Sequence, residues 1–219
     1  VFDTDNVTIQ FVKARGWISG VFLFSANNIV VEQSELSNNM LKGIESSGCN
    51  DVFISGNSLI NNENGGIFAL NSTNVTCIAN SAVNDYAGIF YINVTGGSIQ
   101  HCTISSNEAV GIGFKQSSGI SVHDNSISDT EGQPEFAAGI AGEYSASLDI
   151  FNNIINGSQT AGIFLKMVEG GSIANNILSN NLHGIQIGNS SDLTVTDNEV
   201  TNSALNGIGF YDSNGITVL

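Results

Sequence analysis

The sequence predicts an all-β fold class: a right-handed parallel β-helix, a solenoid of about nine coils of 22–23 residues with three strands per coil. Three observations predict it. A Gly-Ile dipeptide returns at a fixed step, an alternating apolar pair keeps the same step, and an asparagine row follows both.

The dipeptide stands at Gly43-Ile44, Gly66-Ile67, Gly88-Ile89, Gly111-Ile112, Gly139-Ile140, Gly162-Ile163, Gly184-Ile185 and Gly207-Ile208, with Gly20-Val21 ahead of them. Its steps are 22 or 23 residues, apart from a single step of 28. The apolar pair runs from Val7/Ile9 through Ile29/Val31, Val52/Ile54 and Val75/Cys77 to Ile216/Val218, with the same insertion. Leu36, Leu59, Ala82, Ile104, Ile127, Ile155, Leu178 and Val200 form a third row in the same register. Such repetition is the mark of a stacked solenoid. Alternation with period two means strands with one face buried. The runs are too short for helices and rich in β-branched residues. Crossover chirality selects the right-handed form.

The asparagine row lies three residues beyond the second apolar marker: Ser34, Asn57, Asn80, Cys102, Asn125, Asn153, Asn176 and Asn198. Asparagine tolerates the left-handed backbone that a sharp turn needs. Its stacked amides are expected to hydrogen-bond along the solenoid axis.

Charge narrows the partners. Five Lys+Arg stand against 20 Asp+Glu, a net charge of -15. A nucleic acid held through its phosphates needs a basic patch, which this chain lacks. An anionic membrane surface is disfavoured for the same reason. No apolar run reaches the roughly 18 residues of a membrane span. With 41% hydrophobic residues the chain has enough apolar side chains for a substantial core.

The pattern Asn-x-Ile-x-Ile-x-x-Asn-x-Ile followed by Gly-Ile-x-Leu resembles the parallel β-helix repeats of the pectate-lyase-like superfamily. It is especially similar to the Asn-rich branch that includes a periplasmic copper-binding accessory protein and many bacterial and archaeal surface proteins. The resemblance covers essentially all 219 residues. It implies the fold but no one activity, because the superfamily includes lyases, hydrolases, epimerases, tailspikes, adhesins and non-catalytic surface proteins. Its lyases imply calcium with an Arg or Lys base. Here Arg15 is the sole arginine, and Lys13, Lys42, Lys115 and Lys166 are scattered. The hydrolase signature is absent, with Leu182-His183-Gly184 a partial echo of one element. Three His and two Met give copper binding no support.

The acidic candidates come from counting back from the markers. Glu63, Asp85 and Glu108 each lie three residues before a Gly-Ile glycine, on consecutive coils. The insertion that follows contains Asp129, Glu131 and Glu135. All fall in the same turn region, so one acidic ridge is expected; like charges about 5 Å apart on neighbouring coils cost energy unless a cation intervenes or a carboxylate takes a proton. Three readings stand: a solvated turn, a Ca²⁺ site on Glu63, Asp85 and Glu108, or acid/base chemistry by Glu108, Asp129 or Glu131. His101 aligns with Asp124 on the next coil. His123 is expected to point to the opposite face from Asp124, which favours a surface histidine over a metal ligand.

The Gly-Ile strand is apolar on both faces in several coils. With the marker isoleucine inward, Phe22, Phe68, Phe90 and Phe164 point outward, followed two residues on by Phe24, Leu70 and Ile92. Glu45, Gly113, Ala141, Gln186 and Gly209 are read as breaks in this stripe. An outward aromatic patch marks an interface with protein, or a platform for a glycan. The outer row Thr8, Val30, Phe53, Thr76, Ser98, Ser121 and onward is too mixed for an ice-binding array.

Cys49, Cys77 and Cys102 lie in different rows and are expected as buried free thiols. Six sequons, at Asn6, Asn71, Asn74, Asn93, Asn156 and Asn189, permit glycosylation in an extracellular protein. Val1-Phe2 fit the Gly-Ile strand row and Ile216 to Leu219 fit the first row. Residues 1–219 are therefore expected to form one domain, a segment of a longer β-helix or a unit that stacks end to end. The expected role is a non-catalytic extracellular or cell-surface structural protein, acting as a filament, surface-layer or adhesin segment through protein contacts. The rival is a carbohydrate-binding protein, polysaccharide lyase or glycoside hydrolase with an acidic cleft.

Overall fold

The computed structural model describes residues 1–131 and 137–219. Among the described residues, each of nine coils contributes one strand to each of three parallel sheets, Thr217–Val218 adds one more to the first, and there is no helix. The first sheet has ten strands, from Val7–Gln10 to Thr217–Val218. The second has nine, from Lys13–Arg15 to Glu199–Thr201, and the third has nine, from Ser19–Phe24 to Ile208–Tyr211. No helix among them is long and apolar enough to cross a membrane.

The register follows the three rows of the sequence. Val52 lies between Ile29 and Val75, Leu59 between Leu36 and Ala82, and Ile67 between Ile44 and Ile89. Their inward side chains form one continuous core from Ala14 to Val195. The marker glycine follows from this stacking. A Cβ at Gly88 would stand 2.6 Å from the Gly111 carbonyl oxygen and 2.6 Å from Ile104 Cγ2. Only glycine lets the backbone of successive coils approach so closely.

All three corners carry an inward row that ties coil to coil. At the first corner, Asn57 N and Nδ2 both donate to Asn80 Oδ1 at 3.0 Å. Asn57 Nδ2 also donates to the Val31 carbonyl at 2.9 Å. The same ladder links Asn125, Asn153, Asn176 and Asn198. The bonds satisfy amides that water does not reach. The sequence points to the left-handed conformation on the ladder asparagine; the structure places it on the residue before. Ala79, Asp124 and Asn152 have φ of 53°, 56° and 55°. The chain reverses there, and the reversal aims the next side chain inward.

The other two corner rows are hidden in the sequence by mixed composition. The second holds Asn39, Asn62, Asp85, Asn107, Thr130, Ser158 and Asn181, all buried. At the third, serine hydroxyls replace amides. Cys49 N donates to Ser72 Oγ, Val94 N to Ser117 Oγ, and Ser117 N to Ser145 Oγ, each at 3.1 Å.

The three cysteines are buried and free. The Tyr91 hydroxyl lies 3.2 Å from both Cys77 Sγ and the Val75 carbonyl oxygen. Burial pushes the Cys77 thiol far above its ordinary range and the Cys102 thiol up to about 11. At the chain ends, Phe2 pairs with Phe24, and Thr217 and Val218 pair with Thr194 and Val195.

Candidate functional site

The acidic residues do not form the ridge expected from the sequence. Asp85 does not stand beside the two glutamates: its backbone N–H donates to Asn107 Oδ1, and its side chain lies inside the solenoid between Asn62 and Asn107. The exposed row outside it runs Glu63, Tyr86, Glu108, Glu131, as the coil-to-coil backbone bonds of these residues define. The cause is one missing residue. Three residues, Asn84 to Tyr86, join strand Ser81–Val83 to strand Ala87–Ile92, whereas four, Asn61 to Asn64, join Ser58–Ile60 to Gly65–Leu70. Counting back from the glycine therefore slips by one at Asp85. Tyr86 separates Glu63 from Glu108, so the three proposed Ca²⁺ ligands do not converge. Among the described residues no group of three or more His, Cys, Asp or Glu side chains could hold a metal ion. Glu108 and Glu131 do fall on adjacent coils of the exposed row, with Asp129 two residues before Glu131. Glu135 lies outside the described residues.

His123 and Asp124 meet instead of diverging. His123 Nδ1 and Asp124 Oδ2 are 2.7 Å apart. The strand ends at His123, and the left-handed Asp124 (φ 56°) swings its carboxylate back alongside the imidazole. That hydrogen bond is the main cause holding the Asp124 carboxyl below its ordinary range. The His123 ring stacks on Phe151 with centroids 4.7 Å apart, and His101 lies edge-on at 6.3 Å.

The outward face of the third sheet carries the most developed site. In strand Gly65–Leu70, Ile67 and Ala69 are buried inward, while Phe68 and Leu70 are half-buried on the outside. Strand Ala87–Ile92 repeats this with Phe90 and Ile92 outside. Phe68 and Phe90 stack with ring centroids 5.3 Å apart. Lys42 Nζ sits 5.0 Å from the Phe68 centroid and pairs with Glu45 at 3.1 Å. Phe22 and Phe24 form a separate aromatic group with Phe2 at the first coil.

Gly113 and Ala141 continue the apolar patch rather than break it. Both occupy the outward register position of Phe90, on the next two strands. The Phe90 ring lies over Gly113, where any Cβ would run into it. Phe68, Phe90 and Phe164 pack against Ala87, Val110, Ala138 and Ala141, a second apolar cluster outside the sheet. Small residues at the centre let large rings on either side lie flat. Beside this cluster opens a cavity of about 300 Å³, lined by Phe68, Phe90, Ile92, Val110 and Ala141 with Tyr86 on one edge. Lys115 and Glu143, partners on adjacent strands, also line it. A signal for this floor was present in the sequence, as small residues between Phe90 and Phe164 in one outward row.

The sequon asparagines Asn6, Asn71, Asn74, Asn93 and Asn189 are exposed, and Asn156 is half-buried. Asn93 Nδ2 donates to Asn71 Oδ1 at 2.8 Å, and Asn156 Oδ1 accepts from Ser179 and Asn180.

Two family descriptions match the chain: right handed beta helix region over residues 78–219, and periplasmic copper-binding protein (NosD) over residues 2–134. No curated protein matches it. Among solved structures, the mannuronan C-5 epimerase AlgE6 A-module of Azotobacter vinelandii superposes with a TM-score of 0.74 at 16% identity, covering 98% of this chain and 65% of that one. PfbA, a surface adhesin of Streptococcus pneumoniae, gives 0.74 at 16% identity, covering 95% and 63%. The Dettilon tailspike protein gives 0.76 at 15% identity, covering 99% and 54%. The chain thus spans between half and two thirds of the length of these structures. At such identities the likeness is one of fold. The two family matches together run the length of the solenoid, and the chain belongs to the right-handed parallel β-helix family.

Proposed function

We propose that this chain is a non-catalytic β-helix segment of a protein that works outside the cytoplasm, at a cell surface, and that it acts by docking protein on the outer face of its third sheet. The observation that carries this reading is the apolar cavity beside the stacked Phe68 and Phe90 rings. A cavity near 300 Å³ lies at the small end of ligand-sized sites. Its lining is mainly aromatic and aliphatic, with the Lys115 and Glu143 pair at one side, and such apolar surface is typical of the centre of protein interfaces. Glu143 lines it together with Lys115, and the chain as a whole carries a net charge of -15. The surface that complements it presents an apolar side chain with basic flanks. The adhesin and tailspike among the similar structures support a surface role, and the periplasmic family description supports a site outside the cytoplasm.

Copper, carried in the name of that family, finds no fitting donor set among the described residues. The histidines do not converge with a third ligand, and burial keeps the Cys77 and Cys102 thiols protonated. Calcium on Glu63, Asp85 and Glu108 is dropped, because Asp85 faces the interior.

A second reading rests on Glu108 and Glu131, carboxylates on neighbouring coils at about the 4.8 Å strand spacing. Paired carboxylates are the groups that cleave glycosidic bonds, and mannuronan epimerases are among the similar folds. Glycans at the aromatic patch belong to this reading. A screen of neutral and acidic polysaccharides, with detection of reducing ends and unsaturated products, separates the two. The docking reading expects no turnover. Turnover abolished by Glu108→Gln would select the carbohydrate-active reading.

A further inference from the structure

One ionisable side chain is built into the second inner row. Asp85 is 1% exposed. Asn62 N and Nδ2 donate to Asp85 Oδ1 at 2.6 and 3.0 Å, and Asp85 N donates to Asn107 Oδ1 at 2.9 Å. An asparagine in this row makes the same contacts: Asn62 Oδ1 accepts from Asn39 N and Nδ2 at 3.2 and 2.8 Å. The difference lies at the other end of the side chain. Asn62 uses its Nδ2 to donate to the Leu36 carbonyl at 3.2 Å and to the next side chain in the row. Asp85 offers Oδ2 there instead, and Oδ2 is buried with no hydrogen-bond partner.

The register defines what Oδ2 faces. Leu59 occupies the position of Leu36 one coil on. The groups that would receive an amide proton at Asp85 are therefore the Leu59 carbonyl and Asn107 Oδ1, both acceptors. An ionised carboxylate sets lone pairs against lone pairs in a site without water. A carboxylic acid has the one proton needed to donate.

We propose that Asp85 is carried as a neutral carboxylic acid in the folded protein, its Oδ2–H standing in for the amide of the ladder, and that its ionisation loosens this turn as pH rises.

The electrostatics agree. Burial, opposed by the two Asn62 hydrogen bonds, pushes the Asp85 carboxyl up to about 7. The side chain is surrounded by Asn62 and Asn107 from the adjoining turns, Ala82 from its own coil and the backbone of Gly66, where a Cβ would lie 2.8 Å from Oδ2. None of these is charged. The titratable groups of the same turns, Glu63, Tyr86 and Glu108, are exposed on the solvent side. Because the folded value is raised from 3.8, the folded protein keeps a proton that the unfolded chain releases. Its contribution to stability is whole at acid pH, falls as pH climbs from 3.8 towards about 7, and is flat above. Asp85 directly precedes Tyr86, so the turn that loosens is the one that holds an edge of the outer cavity.

Asp85→Asn supplies the missing amide and removes the titration. In thermal melts, the variant should match the wild type near about pH 4 and exceed it by on the order of 5 °C near about pH 8. A difference between the two proteins that stays constant with pH would overturn the proposal. The Asp85 side-chain carboxyl carbon, followed by NMR in the wild type, is the second measurement and does not depend on the variant folding. A midpoint near 7 is expected, and a midpoint in the ordinary carboxyl range would overturn the proposal.

Discussion

Phe68 and Phe90 stack on adjacent strands of the third sheet, centroids 5.3 Å apart and ring planes 20° from parallel. The pair stays half-buried because Gly113 leaves room for the Phe90 ring on the far side. Replacing Phe90 with alanine should cost about 1–2 kcal/mol in urea unfolding, less than a fully buried ring, because only part of its surface is shielded. A cost near that of a core phenylalanine would mean that the ring is structural first.

The inner amides should matter more than their polarity suggests. Asn153 Oδ1 accepts from Asn125 N and Nδ2, and Asn153 Nδ2 donates to Val122, Phe151 and Asn176. Asn153→Ala orphans several buried partners and should destabilise by about 3 kcal/mol. Thr194→Ala, on the exposed outer row, should stay within about 0.5 kcal/mol. Chemical denaturation of both variants makes the comparison.

Two marker glycines should respond oppositely to one methyl group. At Gly88 the new Cβ meets the Gly111 carbonyl and Ile104 at 2.6 Å, whereas at Gly207 it meets only Val200 Cγ1 at 4.0 Å. Gly88→Ala is expected to lose about 2 kcal/mol or more, and Gly207→Ala to remain near neutral. Equal effects in thermal melts would show that coil-to-coil contact is not what selects glycine.

Asp124 gives a pH signature opposite in sign to that of Asp85. The hydrogen bond from His123 lowers its carboxyl from 3.8. The pairing therefore adds stability above the ordinary carboxyl range and loses it as pH falls through the lowered value. His123→Gln should move the Asp124 midpoint upward in an NMR titration. No movement would mean that the pairing does not set it.

The solenoid was legible because the coils repeat the same steric demands: glycine at the close approach, aliphatics inward, and asparagine at the first corner in all but the Ser34 and Cys102 coils of that row. The second and third corners were not legible. Ser72, Val94 and Ser117 share a row whose task is met by a hydroxyl in some coils and by no side-chain bond in others. Asp85 was misread for a geometric reason, since a turn one residue shorter moves its carboxylate from surface to interior. The outward phenylalanines were readable from strand parity. Their setting was not, because Gly113 and Ala141 look like interruptions until the rings beside them are seen to lie flat over them.

The central claim, docking of protein at the outer face of the third sheet, is tested most directly by site-specific photocrosslinking on the cells that make the protein. A photoreactive residue at Phe90 should give a discrete protein adduct, weakened by Phe68→Ser in the same chain. The same probe at Thr194, on the outer face of the first sheet, should give none. Adducts of equal yield at both positions, or adducts to glycan alone at position 90, would contradict the account.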